Sequence, residues 1–100
     1  MASHKPEWFM DACNFMYYTY VLKSQKDNKL YIGYSTDLQK RFQEHQKGLV
    51  RSTKDRRPFK LIFYEAFKDK RDAIRRERYF KTDKGKSSLK QIIRYSLINL

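Results

Sequence analysis

One hundred residues suffice for one small domain and are too few for two separate cores. With 23 Lys and Arg against 11 Asp and Glu, the chain carries a formal charge of +12, more than solubility needs, and its 16% aromatic content argues against a disordered segment. Cys13 is the only cysteine, which excludes an intramolecular disulfide and a cysteine-based zinc cluster. The charge points to a polyanion, nucleic acid ahead of an anionic membrane surface. Trp8, Phe9 and Met10 stand among Lys5, Glu7 and Asp11, so no continuous apolar signal segment is expected, and no stretch has the length of a membrane-spanning helix. The expectation is a soluble, cytoplasmic protein.

Residues 1–15 show no hydrophobic period and are expected to form a tail or a loosely packed extension before a single domain over 16–100. Tyr17 to Lys23 and Lys29 to Tyr34 are rich in aromatic and β-branched residues, and the polar run 24–28 between them predicts a hairpin. Symmetry about its midpoint, between Gln25 and Lys26, puts Tyr20 opposite Tyr31 on one face. Ser35, Thr36 and Asp37 offer caps for a helix to about Lys47, stopped by Gly48. Leu38, Arg41, Phe42 and His45 share a face of that helix. A basic connector follows over 48–59. Lys60 to Phe67 predicts a third strand in which Leu61, Phe63 and Glu65 alternate with Ile62, Tyr64 and Ala66.

Asp69 caps the next helix, with Asp72 at the capping-box position and Ala73, Ile74, Glu77 and Phe80 on one stripe. Residues 81–86 are expected as a basic loop. Ser87 then caps a last helix whose seam is Leu89, Ile92, Ile93, Leu97 and Leu100. The order β-β-α-β-α-α predicts an α+β fold, a small three-stranded, mainly antiparallel sheet with helices packed on it.

Several polar residues fall where apolar ones belong. Arg41 and His45 lie on the apolar stripe of their helix, so the arginine should face a carboxylate or a phosphate, and Glu77 is the expected carboxylate. Glu77 itself sits on a core-facing stripe, which suits a paired or metal-binding acid. Gly33, two positions after Tyr31, permits close approach of a ligand or backbone. Arg51, Lys54, Arg56 and Arg57 in the connector, with Lys81, Lys84 and Lys86 further on, suit contacts to phosphates.

The ordered set of Tyr18-Thr19-Tyr20, Tyr31-Ile32-Gly33, Arg41, His45, Arg57-Pro58, the third strand and Glu77 resembles the GIY-YIG nuclease domain. The likeness is to the small stand-alone type, similar to the N-terminal nuclease domain of the bacterial excision-repair endonuclease, over roughly residues 16–97. The chain departs from the pattern where Tyr18 and Thr19 replace the glycine and isoleucine of the first motif. It departs again at Tyr34, where many members carry lysine, and it has no clear counterpart of a downstream asparagine, Asn99 being too late.

The resemblance implies hydrolysis of DNA phosphodiester bonds with one divalent ion, Mg²⁺ or Mn²⁺, in repair or recombination. Glu77 would be the metal ligand, and Tyr20, Tyr31, Arg41 and His45 would complete the catalytic set, with Gly33 and the basic residues at the DNA. The reading by chemistry has Tyr20 accept the water's proton, through a lowered pKa, and Tyr31 orient water or phosphate. Specificity would come from DNA structure, a homodimer or a protein partner. The rival readings are a nucleic-acid-binding module of the same fold with weak or no cleavage, and a basic protein that docks a partner through its last helix.

Overall fold

A computed structural model describes residues 15–98. The expected tail, Phe15 apart, lies outside the described residues, as do Cys13, Asn99 and Leu100. The elements are β1 (Tyr17–Ser24), β2 (Leu30–Ser35), α1 (Leu38–Gln46), a 3₁₀ turn (Lys54–Arg56), β3 (Phe59–Phe67), α2 (Lys70–Phe80), α3 (Asp83–Ile92) and α4 (Arg94–Ile98). The sheet is antiparallel in the order β2-β1-β3, so the fold is α+β as expected. None of the described helices is long and apolar enough to cross a membrane.

The β1–β2 register differs from the symmetric hairpin. Tyr20 pairs with Gly33, and Leu22 pairs with Tyr31. Ser24 closes a four-residue loop against Lys29, its Oγ accepts the amides of Lys26 and Asp27, and Asn28 takes a left-handed φ of 60°. The turn chemistry therefore moves the pairing by two residues. An even shift preserves the face, so Tyr20 and Tyr31 still share one side of the sheet, with ring centroids 6.3 Å apart.

In β3 the expected alternation breaks. The register against β1 slips between Val21 and Leu22, so Val21 pairs with Phe63 but Leu22 with Leu61. The bulge puts both Ile62 and Phe63 against the α2 side and returns Leu61 to the α1 side.

The two faces bury different cores. Val21, Ile32, Phe80, Leu89 and Ile93 form one cluster with α2 and α3. Tyr20, Leu22 and Phe59 form the other, flanked by Tyr31, Leu38, Phe42 and Leu61 under α1.

Helix boundaries follow their caps. The Asp37 carboxylate accepts the Lys40 amide, and α1 ends at Lys47 before Gly48, whose φ is 77°. Asp69 caps α2 through the Arg71 amide, while Asp72 bonds Arg75 at 3.2 Å instead of closing a capping box. Residues 83–86 are helical, contrary to the expected loop. Thr82, not Ser87, is the cap, its Oγ1 accepting the Gly85 amide at 3.0 Å. Gly85 permits this start because a Cβ there would fall 1.7 Å from the Tyr79 carbonyl oxygen, so α3 packs directly onto the end of α2. The expected last helix is two, broken at Ile93. Leu89 and Ile93 are buried, but Ile92 is 48% exposed and leaves the seam.

Candidate active site

Each residue of the site is placed by the strand or helix that carries it. Tyr20 projects from the central strand toward α1, and its hydroxyl lies 2.8 Å from His45 Nε2. Gly33 makes this possible: a Cβ there would meet the Tyr20 ring at 2.4 Å. Gly33, expected at the nucleic acid, is thus buried beneath a phenol. His45 follows Arg41 by one helical turn, and its second nitrogen, Nδ1, lies 2.8 Å from the Thr53 hydroxyl. Thr53 in turn donates to the Val50 carbonyl at 3.4 Å.

That sequence of groups sets the tautomer. With its own proton directed to Val50, the Thr53 oxygen accepts from His45 Nδ1–H, leaving Nε2 to accept from Tyr20. Tyr20, His45 and Thr53 are each at most 1% exposed, and among the described residues no buried side-chain nitrogen or oxygen lacks a partner. Burial, the largest influence, pushes the Tyr20 pKa up to about 12 against the opposing effect of Arg41. Burial, helped by the Arg41 charge, pulls His45 down to about 4. Both groups are therefore neutral at pH 7.

Solvent reaches the site through other residues. Tyr31 is part-exposed, its ring 5.0 Å from that of His45. Arg41 is about a third exposed and pairs with Glu44 at 3.1 Å, one turn along the same helix. The alternative of an Arg41–Glu77 salt bridge is not what forms, because each has a partner on its own helix. Burial works against the Arg41 charge, but the nearby Tyr20 hydroxyl and the hydrogen bond to Glu44 outweigh it and raise its pKa. Glu77 comes from α2, with a side chain 21% exposed, and binds Lys81 at 2.9 Å. Its charge is felt at Tyr20. Arg75 and Arg76 point away to Asp72 and Glu65, as their helical spacing requires.

The surrounding basic residues divide into two groups. Arg56 is held by Asp27 at 3.0 Å and lies over the Phe59 ring, and Arg57 donates to the Lys54 carbonyl at 2.6 Å while packing over Gly48. Lys81 is paired with Glu77. Arg51, Lys54, Lys84 and Lys86 are exposed and in no ion pair among the described residues.

Sequence reasoning missed Thr53 and Glu44. Glu44 was discoverable from its i, i+3 spacing to Arg41. Thr53 lies in an aperiodic connector, and only the fold brings it to His45.

On this three-stranded antiparallel sheet, Tyr20 and Tyr31 meet His45 and Arg41 of α1, and Glu77 is carried by α2. Residues 16–91 match the GIY-YIG catalytic domain, and the chain belongs to that family of nucleases. Among its relatives are small proteins designated UPF0213. YazA of Bacillus subtilis is 48% identical over 66 residues, covering 65% of this chain and 66% of YazA. SH2523 of Staphylococcus haemolyticus is 42% identical over 77 residues, covering 76% of this chain and 93% of that protein. The solution NMR structure of the UPF0213 protein BH0048 from Bacillus halodurans superposes with a TM-score of 0.52 at 30% identity, covering 84% of this chain and 94% of that one.

Proposed function

We propose that this protein is a divalent-metal-dependent endonuclease that cleaves DNA phosphodiester bonds, chosen by DNA structure and not by sequence, in repair or recombination in the cytoplasm. The observation that carries the reading is the partly exposed group of Tyr31, Arg41 and Glu77 around the buried Tyr20–His45–Thr53 chain, in a chain of this family.

Hydrolysis needs a positioned water and charge stabilisation on the phosphoryl group. Arg41 suits a non-bridging phosphate oxygen, since its guanidinium is part-exposed and its Glu44 partner leaves further donors available. Tyr31 is the phenol that meets the attacking water. Tyr20 was expected to accept the water's proton, but it is 1% exposed, protonated and donating to His45. Burial raises the Tyr20 pKa and lowers that of His45, and both directions oppose passing the phenol's proton to the imidazole. Tyr20, His45 and Thr53 therefore act as positioning residues that hold Tyr31 and Arg41 in place.

No group of three or more His, Cys, Asp or Glu that could hold a metal occurs among the described residues. One carboxylate nevertheless fits a hydrated Mg²⁺ or Mn²⁺, because such an ion keeps several waters and takes phosphate oxygens as further ligands. Glu77 is the residue that would hold it, once the exposed Lys81 ammonium moves aside. The bound ion would supply charge stabilisation at the phosphoryl group. The Glu77–Lys81 pair also supports a second reading, a DNA-binding module with weak cleavage.

Labelled plasmid, flap and branched DNA incubated with Mg²⁺ or Mn²⁺ separates the two. Nicking by the wild type that is lost in Glu77→Gln, with binding retained, is the expected result. Binding without cleavage on every substrate, in either metal, would leave only the binding module.

A further inference from the structure

Behind β2, on the face of the sheet opposite Tyr31, a cleft of about 360 Å³ opens between the β1–β2 turn and α3. Its floor is Leu30, Ile32 and Leu89, and Lys29, Lys86 and Lys90 form its rim. Lys86 and Lys90 are i, i+4 on α3, so they stand on one helical face, and Lys29 joins them from the turn just before β2. All three are exposed, and none is in an ion pair among the described residues. No acidic residue is among those lining the cleft, so its three ammonium groups raise the local concentration of anions.

We propose that this cleft is a second DNA-contact site, gripping the sugar-phosphate backbone away from the bond to be cut. The lysines take successive phosphates, and the apolar floor suits the deoxyribose between them. Its position joins it to the candidate active site. β2 is an edge strand, with Leu30 and Ile32 turned to the cleft and Tyr31, between them, turned to His45. One duplex lying across this edge reaches both faces. The inference rests on the nuclease reading for the identity of the polyanion, and it adds Lys29 and Lys90 to the DNA-binding set.

The test is fluorescence anisotropy with a labelled duplex and the full chain in EDTA, across a salt series. Lys29→Gln, Lys86→Gln and Lys90→Gln are combined in one variant. A control replaces Lys60, Lys68 and Lys70, three exposed lysines outside the cleft, with Gln. Each phosphate contact contributes about 0.9 to the slope of log affinity against log salt. The cleft variant is expected to lose about 2.7 in slope and at least tenfold in affinity. The control is expected to change affinity by less than about threefold. Each single cleft substitution should remove about one slope unit, and Lys→Arg at the same positions should keep the slope. Equal losses in the two triple variants, or no loss in the cleft variant, would overturn the proposal, as would a wild type that does not bind DNA. A wild type that binds through the cleft but cleaves nothing leaves the cleft standing and defeats the nuclease reading.

Discussion

The two faces of the sheet bury their side chains by different chemistry. Under α2 and α3 the buried cluster is aliphatic and aromatic, and its buried polar neighbour Thr19 is satisfied by the Ala73 carbonyl at 2.7 Å. Under α1, a phenol, an imidazole and a hydroxyl occupy positions that apolar residues could fill. A buried polar chain adds little net stability even when every bond is made, and costs heavily if one is lost. The α2 face therefore supports the fold, whereas the α1 face spends core volume on holding a site in one arrangement.

The contrast breaks most visibly if the apolar face is damaged. Phe80→Ala removes a fully buried ring and is expected to cost about 3–5 kcal/mol in urea unfolding, from a total of roughly 5–15. A loss under about 1 kcal/mol would show that the α2 face is not the main support.

On the polar face, acid is the sharper probe. His45 has its native pKa lowered to about 4 from 6.5, so the unfolded chain binds the proton first as pH falls. Its contribution is fully present above pH 6.5 and is lost progressively down to pH 4, on the order of 3 kcal/mol. The difference in stability between the wild type and His45→Gln, followed from pH 7 to pH 4, should shrink by that order. A constant difference would contradict a neutral His45.

Thr53→Val keeps the shape and removes the acceptor for Nδ1–H. It should cost about 1–2 kcal/mol, with Thr53→Ser recovering most of it. In ¹⁵N spectra, the His45 ring nitrogens should show a single Nδ1–H tautomer in the wild type and a mixture in Thr53→Val. A mixture already in the wild type would remove the orienting role assigned to Thr53. Arg41→Gln is the mildest in stability, within about 1 kcal/mol, since its Glu44 partner is a part-exposed residue one turn away. Its cleavage rate should nevertheless fall more than any stability change explains.

Periodicity and turn chemistry made most of the fold legible. The strands, α1, and the cap of α2 follow from residue spacing, and the α+β order from their sequence. What escaped depended on contacts between distant segments. The Val21–Leu22 register slip sets Ile62 and Phe63 against the same cluster, which no period reports. The start of α3 depends on Gly85 meeting the end of α2, so a glycine that suggested a loop is a packing residue. For the candidate site, Tyr20, Tyr31, Arg41 and His45 were legible as one group because strand parity and helical spacing bring them to one face. The Lys81 partner of Glu77 was not legible, since a stripe shows a direction and not a partner. Thr53 had no local signal.

The α1 face, completed by Glu77 from α2, forms the working site, while the apolar cluster under α2 and α3 supports the fold. Single-turnover cleavage and urea stability, measured together on Tyr31→Phe and Ile93→Val, test this division most directly. Tyr31→Phe should lose cleavage by about 100-fold or more, the scale of one positioned proton-transfer group, with stability within about 1 kcal/mol of wild type. Ile93→Val should lose about 0.5–1.5 kcal/mol and keep the wild-type rate. A Tyr31→Phe variant that cleaves like wild type, or an Ile93→Val variant that loses cleavage while folded, would contradict that division.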